Sequence, residues 1–123
     1  MAYTFTASDF DGLLELAGDE VVTHSFVRDV PISGGKTLAL VTLDNGRDHT
    51  RPNTLGPVSL LELAAVLDGL AARAAAGEIA GVAVTGKPFI LAAGADLSKV
   101  GEVPSREFAR KMAQVGHLSL IHI

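Results

Sequence analysis

The sequence has no cysteine and no tryptophan, and its only aromatic residues are five phenylalanines and one tyrosine. Without cysteine there is no disulfide, no thiolate zinc site and no cysteine nucleophile. Long apolar runs are also missing, since no charge-free stretch approaches the roughly 18 residues that a membrane span needs. The acidic N-terminus lacks the basic and apolar regions of a signal peptide. We therefore expect a cytoplasmic protein with no membrane span.

An excess of positive charge is missing too. Ten Lys and Arg residues against 14 Asp and Glu residues give a net charge of −4, and we expect no nucleic-acid partner. No G-x-G-x-x-G pattern occurs, so the chain holds no recognisable dinucleotide site. A metal site is not expected, because no pair of histidines has the H-x-x-x-H or H-x-x-E-H spacing of metal ligands. The four histidines are His24, His49, His117 and His122.

What the chain does have is a hydrophobic content of 48%, arranged in short segments. The β-branched run Val21–Val30 predicts a strand, and "PISGG" predicts the turn after it. The nearly continuous apolar run Lys36–Asp44 predicts a buried strand that ends at the turn "DNG". A further strand is predicted at Ile79–Gly86. Strands and helices alternate along the chain, which favours an α/β fold.

Two helices have recognisable boundaries in the sequence. Ser59 and Glu62 have the spacing of a capping box, which predicts the start of the first helix, and Gly77 predicts its end. Ser105 is predicted to cap a last helix that ends at Gly116. The apolar residues of the first helix recur on one helical face. They are Leu60, Leu63, Ala64, Leu67, Leu70, Ala71 and Ala74.

The stretch "FILAAGADLSKV", Phe89–Val100, combines an apolar run, a lone glycine and an aspartate that can begin a helix. N–H groups at a helix start have no intrahelical partner, and the helix dipole adds positive charge there. Gly94 lets a ligand come close to the backbone, and its alanine neighbours leave room. These features would suit a site for a developing oxyanion. The alternative is an ordinary strand–loop–helix connection in which Asp96 only caps the helix.

The ordered segments "TLDNG", "RPNTLGP" and "VAVTGKPFILAAGADLSKV" resemble the enoyl-CoA hydratase/isomerase, or crotonase, superfamily. The resemblance covers roughly residues 36–117 and is strongest to the N-terminal hydratase part of multifunctional fatty-acid oxidation proteins. It implies the N-terminal half of a crotonase fold, built from repeated strand–strand–helix units. It also implies an acyl-CoA thioester as substrate and no cofactor in this chain. In such proteins a 3-hydroxyacyl-CoA dehydrogenase domain, with its NAD, would follow further along.

The resemblance also implies roles for individual residues. The N–H of Ala95 would be one of two donors to the thioester oxygen, and Asp96 would lie at the start of the helix in the same pocket. Asn53 would border the path of CoA, and the backbone around Ala93 would lie near its adenine. The substrate-binding set that the resemblance implies is Asn53, Thr54, Leu55, Ala93, Gly94, Asp96, Leu97 and Ser98.

The chain departs from the family after "MAQVGH". The second oxyanion donor and the two glutamates of hydratases would lie further along, so we expect an inactive fragment. Its parent would be a homo-oligomer or part of a fatty-acid oxidation complex. We expect a lead-in at 1–20, a partial crotonase-like domain at 21–117, and a non-native or truncated tail at 118–123. Two alternatives remain: another crotonase reaction (isomerase, hydrolase, decarboxylase), or a small α/β binding module without catalysis.

Overall fold

The computed structural model describes residues 19–96 and 106–121, which form a small mixed α/β structure. Leu97 and Ser98, Ser105 and the predicted helix after Asp96 lie outside the described residues. The order along the chain is strand, strand, helix, strand, helix. The elements are β1 (His24–Ile32), β2 (Lys36–Asp44), α1 (Pro57–Ala75), β3 (Gly81–Thr85) and α2 (Arg106–Ile121).

The three strands form one sheet in the order β1-β2-β3. β1 and β2 are an antiparallel hairpin in which His24 lies opposite Asp44 and Ile32 opposite Lys36. β3 lies parallel to β2, and α1 connects the two strands as a crossover helix. The predicted bounds of β2 are confirmed. β1 starts and ends later than predicted, because the hairpin closes in the short turn Ser33–Gly35, where two glycines have positive φ.

The start of α1 differs from the predicted capping box. Gly56 is the N-cap and Pro57 the first helical residue, so Ser59 lies inside the first turn. The carboxylate of Glu20 accepts hydrogen bonds from the N–H groups of Val58 (3.2 Å) and Ser59 (3.0 Å) and from the Ser59 hydroxyl (3.1 Å). A carboxylate from outside the helix therefore caps it, and a Cβ on Gly56 would overlap that carboxylate.

Glu62, the other half of the predicted capping box, binds β1 instead. Its carboxylate accepts the Ser25 N–H at 2.9 Å and lies 3.0 Å from His24 Nδ1. Ser59 also contacts the segment before β1, because its hydroxyl accepts the Thr23 N–H at 2.9 Å. Ser59 and Glu62 therefore do not form a capping box. Their side chains instead bind α1 to the segment around the start of β1.

The core lies between α1 and one face of the sheet. Alternate β2 residues face α1, and the predicted apolar face of α1 is buried except at its end, where Ala71 is half-buried and Ala74 exposed. Ala74 lies in the last turn of α1. The clustered buried residues are Ala39, Val41, Leu43, Leu63, Leu67, Leu70 and Ile79.

The C-terminus of α1 follows the prediction that Gly77 stops it. Ala76 is the C-cap, and Gly77 follows with φ 76°. The Gly77 N–H donates to the Ala74 carbonyl (3.0 Å) and the Glu78 N–H to the Arg73 carbonyl (2.9 Å). These are the two hydrogen bonds of a Schellman motif, in which the residue after the C-cap needs a left-handed conformation.

The predicted end of α2 is wrong. The helix continues through Gly116 to Ile121. A Cβ on Gly116 would lie 3.9 Å from Leu60 Cδ2, so this glycine lies where α2 passes close to α1. In the described parts of the chain, no helix has both the length and the apolar character that crossing a bilayer requires.

Candidate functional site

Two segments that are about 40 residues apart in sequence lie side by side. The Leu55 N–H donates to the Gly94 carbonyl at 2.8 Å, and the Asp96 N–H donates to the Leu55 carbonyl at 3.2 Å. Leu55 and Ala95 therefore form a parallel bridge. The structure thus brings together the two segments from which most of the predicted site residues come.

The bridge fixes the direction of the Ala95 backbone. In a parallel bridge, Leu55 bonds the residues on either side of Ala95, so the N–H of Ala95 points away from Leu55. Among residues 19–96 and 106–121, no backbone carbonyl accepts that N–H. Ala93, Gly94 and Ala95 are exposed. The Ala95 N–H is thus held in a defined direction on an accessible backbone.

Gly94 lies where this short ladder becomes irregular. Ala93, rather than Gly94, donates its N–H to the Asn53 carbonyl, at 2.7 Å. A regular parallel ladder would use the residue next to Ala95 for that bond. Gly94 has φ 97°, a conformation that residues with a Cβ rarely adopt. The segment 93–95 thus contains one residue more than a regular ladder would use. The positive φ at this irregular position explains why a glycine stands beside Ala95.

Asn53 is fully buried and connects three segments. Its Nδ2 donates to the carbonyls of Leu43 (2.8 Å) and Leu91 (2.9 Å), and its Oδ1 accepts the Asn45 N–H (3.0 Å). Both N–H groups and the oxygen of the side-chain amide therefore have partners inside the protein. Any contribution of Asn53 to ligand binding would come from positioning the 91–95 backbone.

Lys87 organises the loop that follows β2. Its ammonium donates to the side-chain oxygen of Asn45 (2.7 Å) and to the carbonyls of Arg47 (3.0 Å), Asp48 (3.0 Å) and Arg51 (2.6 Å). Four oxygens share the three hydrogens of one ammonium group. Asn45 also donates to the carbonyls of Arg51 and Pro52. The loop before Asn53 is thus folded around a side chain from the segment after β3.

A tight turn follows Lys87. The Ile90 N–H donates to the Lys87 carbonyl at 3.1 Å, and Phe89 has φ 74° although it is not glycine. Its side chain is 95% exposed, and its ring lies edge-on to the His49 ring at 5.9 Å. Gly86, just before Lys87, has no room for a side chain, because a Cβ there would lie 2.6 Å from Leu91 Cα.

The charges near the site are mostly on the loop. Hydrogen bonds from the Thr50 hydroxyl and N–H lower the pKa of Asp48 below its ordinary value.

Within 19–96 and 106–121, no three His, Asp or Glu side chains are grouped so that they could hold a metal ion. Thr54 is half-buried, and its carbonyl accepts the Thr23 hydroxyl at 2.7 Å. Among the described residues of the predicted site, the exposed ones are Ala93, Gly94 and Ala95, which have no polar side chain.

Two residues important for this geometry were not singled out by the sequence. Lys87 stands in "TGKP", and its acceptors lie 36–42 positions earlier. Asn45 belongs to the turn "DNG", which predicted only a chain reversal. Neither role leaves a periodic pattern, because each depends on contacts between distant segments.

Comparisons with protein-family models, curated proteins and solved structures found no match to this chain.

Proposed function

We propose that this chain carries half of an acyl-CoA site of the crotonase type, with the Ala95 N–H as one donor to the thioester oxygen. The observation that supports this proposal is the ladder between residues 53–55 and 93–96, which holds that N–H in a fixed direction. The finer fold assignment, the N-terminal half of a crotonase fold, belongs to the same proposal. It agrees with the described strand–strand–helix–strand order.

The parent protein would hydrate a 2-enoyl-CoA. Water adds across the C2–C3 double bond, with its oxygen bonding to C3 and a proton to C2, while negative charge develops on the thioester oxygen. A fixed N–H stabilises that charge more than it stabilises the neutral carbonyl, and removing one such donor typically lowers the rate by about 10²–10³. This charge needs no reactive side chain, which agrees with the small residues around Gly94.

The acid–base carboxylates and the second donor would come from sequence beyond His117 in the parent. General acid–base groups contribute about 10²–10⁴ in rate. We therefore expect the chain alone to bind thioesters without turning them over. NAD would act only in a downstream dehydrogenase domain.

The binding test uses two ligands that differ in one atom group. An acyl-CoA has the thioester carbonyl, and the corresponding alkyl-CoA thioether lacks it. Calorimetric titration should give about 2–10-fold tighter binding of the thioester, the range of one net hydrogen bond. Ala95→Pro removes the N–H and should abolish the difference between the two ligands. Ala95→Ser keeps the N–H and should preserve it.

Two results would count against the proposal. Equal affinity of the thioester and the thioether, or no binding of either, would instead favour a non-catalytic α/β module. Measurable hydration of crotonyl-CoA by this chain, abolished by Gly94→Pro, would contradict the requirement for a second half. Circular dichroism of each variant checks that the fold is kept.

A further inference from the structure

β1 is an outer strand of the sheet, and no described strand pairs with its outer edge. It has nine residues and is exposed along most of its length. Phe26 is 57% exposed and Val27 42%. An uncovered edge strand with apolar side chains is a template for pairing with another strand.

The backbone groups that face outward can be identified from the contacts. The N–H of Ser25 donates to Glu62, so it does not bond β2. Pro31 has no N–H, and its partner Thr37 directs its carbonyl to Ala80 on the other side of β2. Because antiparallel pairs alternate, the odd-numbered residues of β1 direct their backbone groups away from β2. The outward N–H groups left without a described acceptor are those of Val27 and Asp29.

We propose that β1 pairs antiparallel with β1 of a second copy of this chain, with Val27 opposite Val27. Each Val27 N–H then donates to the other copy's Val27 carbonyl. Each Asp29 N–H donates to the other copy's Ser25 carbonyl. Both outward donors are satisfied within the bounds of the strand, and the two sheets become one six-stranded sheet.

The charges of β1 select this register. If Val27 lay opposite Asp29 of the other copy, Arg28 would lie directly opposite Arg28. If Asp29 lay opposite Asp29, two carboxylates would face each other. Like charges directly opposite each other destabilise strand pairs. Shifting the other way moves the acceptor of Asp29 beyond the start of β1. In the proposed register, Arg28 of each copy lies opposite the exposed Phe26 of the other copy. This arrangement favours cation–π contacts.

The two helices α1 would lie on the same face of the combined sheet, because odd-numbered residues pair with odd-numbered residues. One of the two contacts at this edge remains, since Arg73 keeps its bonds to Asp29 (3.1 and 2.8 Å). The Glu62 carboxylate gives up the Ser25 N–H, which it accepts at 2.9 Å in the single chain, and that N–H donates to the other copy's Asp29 carbonyl. An interface made of one strand from each copy is small, so the dimer should dissociate readily on dilution.

Single cysteines test the register, since the chain has no native cysteine. In a thiol–disulfide buffer, Val27→Cys should form a disulfide dimer with itself, because paired Cα atoms about 5.5 Å apart suit a disulfide. Phe26→Cys and Arg28→Cys should each fail to do so alone and should link when mixed. Dimerised thiols have a raised effective concentration, so we expect rates about tenfold or more above a Phe89→Cys control.

A second measurement does not depend on cysteine. Sedimentation equilibrium of the unmodified chain should show a monomer–dimer equilibrium. Val27→Lys should shift it to monomer by placing two charges opposite each other. Val21→Lys is the matched control, because Val21 is a valine of similar exposure (45%) outside β1. A chain that stays monomeric up to millimolar concentration, or faster self-linking of Arg28→Cys than of Val27→Cys, would overturn the proposal.

Discussion

At the scale of single residues, Asn53 shows the difference between a residue that contacts a ligand and a residue that positions the backbone of a site. The resemblance placed it beside the CoA path, and the structure places its amide inside, bonded to β2 and to Leu91. Its partners are 10 and 38 positions away in sequence, so no local pattern could show that the amide is used internally. Its role as a ligand contact stays a prediction, while its role in holding the 91–95 backbone follows from the hydrogen bonds.

Asp29 gives a prediction about pH. Two hydrogen bonds from Arg73 lower the pKa of this exposed carboxyl below its ordinary value. A lowered folded-state pKa contributes stability above the unfolded value, about 3.9, and that stability is lost as the pH falls through the folded pKa. We therefore expect the free energy of unfolding to decrease below about pH 4, measured by urea denaturation between pH 6 and 2.

The matched variants for this experiment are two Asp→Asn changes. Asp29→Asn should weaken the acid dependence, because the group that titrates against Arg73 is gone. Asp68→Asn, on the exposed face of α1, should leave it unchanged. An identical acid dependence in all three proteins would show that the Asp29–Arg73 pair does not contribute.

At the scale of elements, the sequence predicted the boundaries that follow from the pattern of apolar residues and from local turn signals. The run Lys36–Asp44 was correct at both ends, because its apolar residues stop at an Asn-Gly turn. The start of α1 was wrong, because the residue that caps it, Glu20, is 38–39 positions from the N–H groups it binds. The end of α2 was wrong because Gly116 serves close helix packing. The crotonase assignment depended on ordered motifs and remains a proposal.

Glu20 also gives the prediction at this scale. Glu20→Ala removes the carboxylate from the first turn of α1 and leaves the N–H groups of Val58 and Ser59 without their acceptor. Losing a helix cap typically costs about 0.5–2 kcal/mol, and we expect a loss in the free energy of unfolding within that range. Asp68→Asn controls for the loss of one negative charge. Equal stability of the Glu20→Ala protein and the control would contradict this account.

At the scale of the whole molecule, the buried apolar residues of the part that the structure describes lie on one side of the sheet. Ala39, Val41 and Leu43 face α1, and by alternation Leu38 and Leu40 face the other side, where they are only half-buried. A sheet stabilised through one face buries less apolar surface than one covered on both, and its stability is correspondingly low.

We therefore expect the chain, expressed alone, to unfold over a broad temperature range and to bind the dye ANS before it unfolds. The measurements are a thermal scan by circular dichroism and ANS fluorescence over the same range. A sharp, cooperative transition in a soluble monomer that does not bind ANS would contradict this expectation.

The ammonium of Lys87 has a consequence for the order in which the molecule assembles. All four of its acceptors lie in a loop that leaves the ribosome 36–42 residues earlier. Until β3 has docked beside β2, that loop lacks its central partner, and its closure requires bringing distant segments together. The loop should therefore be among the last parts to become protected from hydrogen exchange during refolding, although it directly follows a strand that can form early.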